Sequence, residues 1–269
     1  MSRRFDCTDP EQRKTGLREA ASAVRRGELV VLPTDTLYGI GADAFTNWAV
    51  RALLEAKGRG PSMPSPVLVP SPATLHGLVA GMPSVGWELV DAFWPGGLTI
   101  VAMHQPTLTW DLGETRGTVA VRMPLHDITL ELIQRTGPLA VSSANTTGMP
   151  AATNAEEAIE MLGDLVAVVL DAGETTGEQP STIVDCTGDR PRILREGALS
   201  ARDIHRVLED TGHVFDHGED VDAVAEGVGD PADGAPADAA PADADPADAD
   251  PADADNADAG ADEDDKPLA

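Results

Sequence analysis

The chain has 269 residues, 42% of them hydrophobic, with 46 acidic against 19 basic side chains and a formal net charge of -27. That length and apolar content support one sizeable folded core, whereas the charge excludes broad, non-specific nucleic-acid binding, because the overall field repels phosphate. Cys7 and Cys186, the 2 cysteines, supply neither a disulfide framework nor a zinc pattern. No run approaches the roughly 18 apolar residues of a membrane span, so a cytoplasmic location without membrane contact is expected.

The charge is unevenly spread. From Asp216 onward there are 19 acids and one base, Lys266, which leaves 27 acids and 18 bases before it. Only 3 lysines (Lys14, Lys57, Lys266) stand beside 16 arginines. An acidic, lysine-poor body fits a halophilic protein of the haloarchaeal type, in which concentrated salt screens self-repulsion. The other reading is a protein of ordinary salinity with an acidic interaction tail.

In chain order, Thr15–Arg26 reads as a helix ended by Gly27, and Leu29–Leu32 as a short buried strand stopped by Pro33. Asn47 is placed to cap a helix running to Ala56. Strands are predicted at Val67–Val69, Leu98–Met103, Thr118–Met123, Leu139–Ser142, Val166–Leu170, Thr182–Cys186 and Ile193–Leu194. Helices are predicted at Ser84–Phe93, Ile128–Arg135 and Ala155–Leu162, and a last one from Ser200 to about Asp210. Strands interspersed with helices over this length imply one α/β domain, assigned to residues 5–212, whose strand order the pattern leaves open. Residues 213–269 read as a disordered acidic tail: from Pro231 a Pro-Ala-Asp unit recurs with no large apolar side chain, so the segment cannot bury a core.

Five segments could carry chemistry. Pro33–Gly39 (PTDTLYG) follows an apolar strand and gathers three hydroxyls and a carboxylate, including Thr36 and Tyr38, where α/β proteins place ligands; an ordinary turn with satisfied hydroxyls is the alternative. Lys57-Gly58-Arg59 ends a helix with two cations around a glycine, a pattern suited to phosphate, or simply the usual positive charge at a helix C-terminus. Arg122 closes the apolar run from Thr118 and needs an anionic partner, from the protein or from a ligand. Leu139–Gly148 passes from an apolar strand through Val141 into Ser143, Asn145 and then glycine, a loop able to offer N–H and hydroxyl groups to phosphate oxygens. Ser181 and Arg195 each stand beside a short apolar strand. No GxxxxGK[ST] occurs, which excludes an ordinary P-loop enzyme. His213 and His217 have the spacing of metal ligands but no third partner nearby, so no metal site is assigned.

Together these segments resemble the YrdC family of threonylcarbamoyl-AMP synthases. The resemblance is carried by PTDTLYG (33–39), KGR (57–59), FWPGGLT (93–99), VAVRMP (119–124), SAN (143–145), STIVD (181–185) and ILREG (193–197), in the family's order across about residues 17–210. It implies a twisted mixed sheet flanked by helices around a deep, positively charged cavity. It further implies that Lys57, Arg59, Thr118, Ser143, Asn145 and Arg195 hold ATP. Of these, Lys57, Arg59, Ser143 and Asn145 would be the catalytic set. Thr36, Arg122, the backbone at Val141, and Ser181 would hold L-threonine, with Tyr38 lining the same pocket. The implied reaction joins threonine, bicarbonate and ATP, with Mg2+ on the phosphates, into threonylcarbamoyl-AMP. That product would pass to a tRNA threonylcarbamoyl-transfer complex for modification at position 37. The sequence departs from the family in having no His in the stretch from Pro61 to Pro70, in Met63 at a nucleotide contact, and in Ala151 where Ser is frequent. Two other readings compete: a non-catalytic paralogue with weak RNA or nucleotide binding, and a hydrogenase-maturation carbamoyl-transfer domain, whose large flanking regions are missing from this sequence.

Overall fold

Ten strands join in one sheet in the computed structural model, which describes residues 2–177, 179–188 and 190–210, all within one compact unit. The acidic tail assigned to 213–269 lies outside the described residues. The strands are β1 (Arg3–Asp6), β2 (Val30–Leu32), β3 (Gly39–Asp43), β4 (Val67–Leu68), β5 (Leu98–Met103), β6 (Thr118–Arg122), β7 (Leu139–Ser143), β8 (Val168–Asp171), β9 (Thr182–Asp185) and β10 (Arg192–Arg195). Their order is β1-β8-β2-β3-β7-β4-β6-β5-β9-β10, with parallel and antiparallel pairs mixed. β1 begins two residues ahead of the expected domain start at residue 5.

The helices are α1 (Pro10–Arg25), α2 (Asn47–Ala56), α3 (Leu75–Leu78), α4 (Ser84–Phe93), α5 (Asp127–Thr136), α6 (Ala155–Leu162) and α7 (Ala201–Asp210). α1 starts earlier than its apolar pattern suggests, because Asp9 accepts the Gln12 N–H as N-cap and Pro10 supplies the first-turn φ. Thr46, not Asn47, occupies the N-cap of α2; the Asn47 Oδ1 instead accepts the Asp111 N–H at 3.1 Å. α6 is capped by Asn154, whose side chain accepts from Glu157 N–H. α7 anchors the end of the described chain by burying Ile204 and Leu208 in the main core.

The two faces of the sheet are covered unequally. One face, through Ile40, Val67, Val121, Ile100 and Val184, packs with buried residues of α2, α4, α6 and α7 into the main core. On the other face, α1 and α5 pack over Val30, Leu32, Leu68, Leu139, Val168 and Leu170. That second layer stops short of β5, β6, β9 and β10, where the buried apolar cluster is only Val101, Ala120 and Ile183, with Leu194 beside it and no helical residue. Among the described residues no helix covers that half-face, which leaves a depression beside the helical layer, and the candidate site occupies it.

Candidate active site

The floor of the site is a row of residues set by strand register. Leu68 pairs with Arg122, and Thr99 pairs with Ile183. Ile183 in turn pairs with Arg195, and Thr99 lies one position beyond the Ile100–Val121 pair that ties β5 to β6. Partners across a ladder share a face, so residues from five strands project to one side. A register shift between Ile193 and Arg195 brings Arg195, rather than Leu194, opposite Ile183.

Above this row lies a cavity of about 430 Å3. Thr36, Tyr38, Arg59, Arg122 and Val141 line it, as do Ser143, Asn145, Ser181 and Arg195. Three guanidinium groups therefore face one space, and no carboxylate occurs among its described lining residues. In a chain of net charge -27 this is a local inversion of sign.

Each arginine is held from behind. Arg122, 6% exposed, donates Nε to the Gly96 carbonyl (2.9 Å), one terminal nitrogen to Thr36 Oγ1 (2.8 Å) and the other to Asp35 Oδ1 (2.7 Å). Burial pushes its guanidinium below its ordinary pKa, and the Asp35 carboxylate opposes that shift. Arg59 donates to Ser142 Oγ at 3.1 Å. Arg195 holds the Ser181 carbonyl with two nitrogens, at 3.2 and 2.8 Å, and the Ser181 hydroxyl lies 2.8 Å from that of Thr99.

The loop between β2 and β3 is closed by Thr34, whose hydroxyl donates to the Leu37 carbonyl (2.6 Å) and accepts the Thr36 and Leu37 N–H groups. Tyr38 follows among the lining residues, its side chain fully buried in the main core and its hydroxyl donating to the Gly173 carbonyl (2.7 Å) and accepting the Ala172 N–H (2.9 Å). Burial pushes its pKa up to about 12.

Two predicted residues stand apart from the cavity. Lys57, fully buried, ends α2 in a Schellman turn: Gly58, at φ 67°, bonds Glu55 O, and Arg59 N–H bonds Leu54 O. Its ammonium reaches the loop after β7 and donates to Ser143 O (2.8 Å) and to Asn145 O (2.6 Å) and Oδ1 (2.5 Å). Lys57 thus stands behind the cavity wall rather than among its lining residues. Thr118 shares the face of Arg122 but lies four residues back along β6, roughly 13 Å away at strand rise. Its hydroxyl bonds Thr115 O, and it lines a separate space of about 10 Å3 beside Ser65 and Leu112. Thr118, expected with the other ATP residues, thus lines this second space, with Pro64, Ser65 and Leu112, and not the larger cavity.

Thr99, Leu68, Ile183 and Pro180 also line the cavity and were not singled out from sequence. Thr99 ends the FWPGGLT segment, whose glycines are forced by packing: a Cβ on Gly97 would come within 2.7 Å of Ala198 Cβ. Ala151 lines the cavity and Met63 does not.

Fold and site together define an α/β protein that gathers arginines from separate strands and loops around one cavity, an arrangement suited to an anionic ligand. Residues 22–197 match the profile of the Sua5/YciO/YrdC family, described as "Telomere recombination". The chain belongs to that family. A Mycobacterium tuberculosis protein (strain H37Rv), provisionally named threonylcarbamoyl-AMP synthase, is 55% identical over 208 residues, covering 77% of this chain and 96% of its own. The threonylcarbamoyl-AMP synthase of Bacillus subtilis is 36% identical over 192 residues, covering 71% of this chain and 56% of its own. Among solved structures, Pyrococcus abyssi Sua5 complexed with L-threonine aligns with TM-score 0.72 at 34% identity, over 80% of this chain and 62% of that one. The chain thus spans about three fifths of these two longer relatives. The mycobacterial relative is nearer than this archaeal one, so the comparisons lend nothing to a haloarchaeal source. No helix among the described residues is long and apolar enough to cross a membrane.

Proposed function

We propose that this protein is an L-threonylcarbamoyladenylate synthase, a nucleotidyltransferase that forms threonylcarbamoyl-AMP and pyrophosphate from L-threonine, bicarbonate and ATP. The observation that carries the reading is the meeting of Arg59, Arg122 and Arg195 around a cavity whose described lining holds no carboxylate. Two anionic reactants, the carbamate of an amino acid and a nucleoside triphosphate, repel each other, and a fixed cluster of cations offsets that repulsion without reorganising.

In the proposed chemistry the threonine amine attacks CO2 derived from bicarbonate and loses a proton, leaving a carbamate. A carbamate oxygen then attacks the α-phosphorus of ATP; the bond from that phosphorus to the bridging oxygen breaks, and pyrophosphate departs with the electron pair. No step requires a protein nucleophile. Arg122, beside Thr36 and Ser181, would orient the threonine carboxylate. Arg59 and Arg195, with Ser143 and Asn145, would hold the triphosphate. Mg2+ would arrive on the ATP phosphates and share their charge with the guanidiniums. No group of three or more His, Cys, Asp or Glu side chains that could hold a metal ion occurs among the described residues. The product would then pass to a tRNA threonylcarbamoyl-transfer complex.

Exchange of labelled pyrophosphate into ATP tests the reading. It should depend on both threonine and bicarbonate. Exchange without either one, or none by folded protein, would contradict it.

A further inference from the structure

We infer that Asp35, which does not line the cavity, is the positioning residue that turns Arg122 into a two-pronged carboxylate receptor and so governs affinity for the amino-acid substrate. The inference deepens the proposed synthase reading and rests on it.

A guanidinium has five N–H donors. Arg122 gives one each to Gly96 O, Thr36 Oγ1 and Asp35 Oδ1, from its three different nitrogens. Two donors remain, one on each terminal nitrogen, on a residue that lines the cavity. That pair matches the two oxygens of a carboxylate, whose fork-on-fork contact with arginine fixes orientation as well as charge.

Asp35 sets this arrangement. Its Oδ1 also accepts the Leu125 N–H at 2.9 Å, so the carboxylate is anchored to the backbone just after β6 while it holds the arginine that ends β6. The Arg122–Asp35 pair is 8% and 14% exposed on its two side chains, so solvent screens it little. Its backbone is hemmed in as well: a Cβ on Gly177 would lie 2.6 Å from the Asp35 carbonyl oxygen. Asp35 therefore compensates the buried charge of Arg122 from behind while leaving the front donors to a ligand. The Asp35 backbone sits between Thr34 and Thr36, both of which line the cavity, so displacement of its side chain is transmitted to the threonine end of the site.

The test is steady-state kinetics of the full chain with Asp35→Asn and Asp35→Glu, varying threonine and ATP separately, and calorimetric titration of threonine alone. Asp35→Asn keeps the shape and removes the charge. KM for threonine should rise on the order of tenfold or more, with KM for ATP within about twofold of the parent. Threonine binding by calorimetry should weaken in parallel. Asp35→Glu keeps the charge, is expected to fold where the Asn variant does not, and should show the same split in smaller measure. Equal rises in both KM values, or an unchanged threonine affinity, would overturn the inference, as would the failure of both variants to fold, since Asp35 would then serve stability alone. A parent protein that forms no threonylcarbamoyl-AMP while still binding threonine more weakly in Asp35→Asn would sink the synthase reading and leave the Asp35–Arg122 assignment standing.

Discussion

Lys57 Nζ lies 2.6 Å from the carbonyl oxygen of Asn145 and 2.5 Å from its Oδ1, fastening the end of α2 to the loop after β7 across 88 positions of sequence. In the fold, the cation that reads from sequence as a phosphate ligand fastens the loop that carries Ser143 and Asn145.

Lys57→Met should therefore destabilise the protein. It leaves buried carbonyl oxygens at Ser143 and Asn145 without this donor, a loss of about 3 kcal/mol. Thermal or urea unfolding in molar KCl measures it. Arg195→Ala, on a partly exposed residue, should weaken ATP binding at least tenfold or so while moving stability by less than about 1 kcal/mol. Equal stability losses in the two variants would contradict this division of roles.

Stability should fall on the alkaline side. Cys7 and Cys186 are buried free thiols whose pKa values burial pushes up to about 11 and about 12, from an ordinary 9.0. A folded-state pKa above the unfolded one means the stabilisation is complete below pH 9 and is lost as pH rises toward 11 and 12. In that window each thiol should cost roughly a tenfold drop in the folding constant per pH unit. Denaturant titrations from pH 8 to 11 should show this slope, and the double variant Cys7→Ala/Cys186→Ala should flatten it below pH 10, above which the buried Tyr38 adds a slope of the same sign.

Gly197→Ala should damage the site through the backbone. A Cβ there would lie 2.2 Å from Pro180 O and 2.9 Å from the Ser181 carbonyl carbon. Either the segment carrying Pro180 and Ser181, just before β9, or the turn after Arg195 must move, so turnover should fall by about tenfold or more. Kinetics beside a circular-dichroism melt check it: turnover like the parent's would mean the turn yields freely.

Removing residues 219–269 takes away most of the acidic surplus without touching any cavity residue. Turnover should stay within about twofold of the full chain, with less dependence on added salt, since fewer like charges need screening. A large loss of activity on truncation would assign the tail a direct role.

What could be read from sequence follows from how local each signal is. α4 and α6 were delimited to the residue and β5 likewise, because apolar periodicity and flanking prolines or caps act within a few positions. β3 (GIGAD) lies outside the predicted strands, because Gly39 and Gly41 interrupt its apolar pattern. They are glycines because Val141 and Leu32 already fill the space: a Cβ on Gly39 would sit 2.6 Å from Val141 Cγ1. β1, with the sequence RRFD, carries no apolar run and is a strand through its pairing with β8. Most of the site was legible as motifs at strand ends. What stayed hidden were relations across the sheet: the bulge that presents Arg195, the carboxylate behind Arg122, and the inward reach of Lys57. All three depend on a strand order that no local pattern encodes.

The most direct measurement is chromatographic detection of products after the purified chain is incubated with labelled threonine, bicarbonate and Mg·ATP in molar KCl. Threonylcarbamoyl-AMP and pyrophosphate in equal amounts are expected, with product falling at least about a hundredfold in Arg122→Gln. Folded parent protein that yields neither, or that releases pyrophosphate with no threonylcarbamoyl-AMP, would contradict the account.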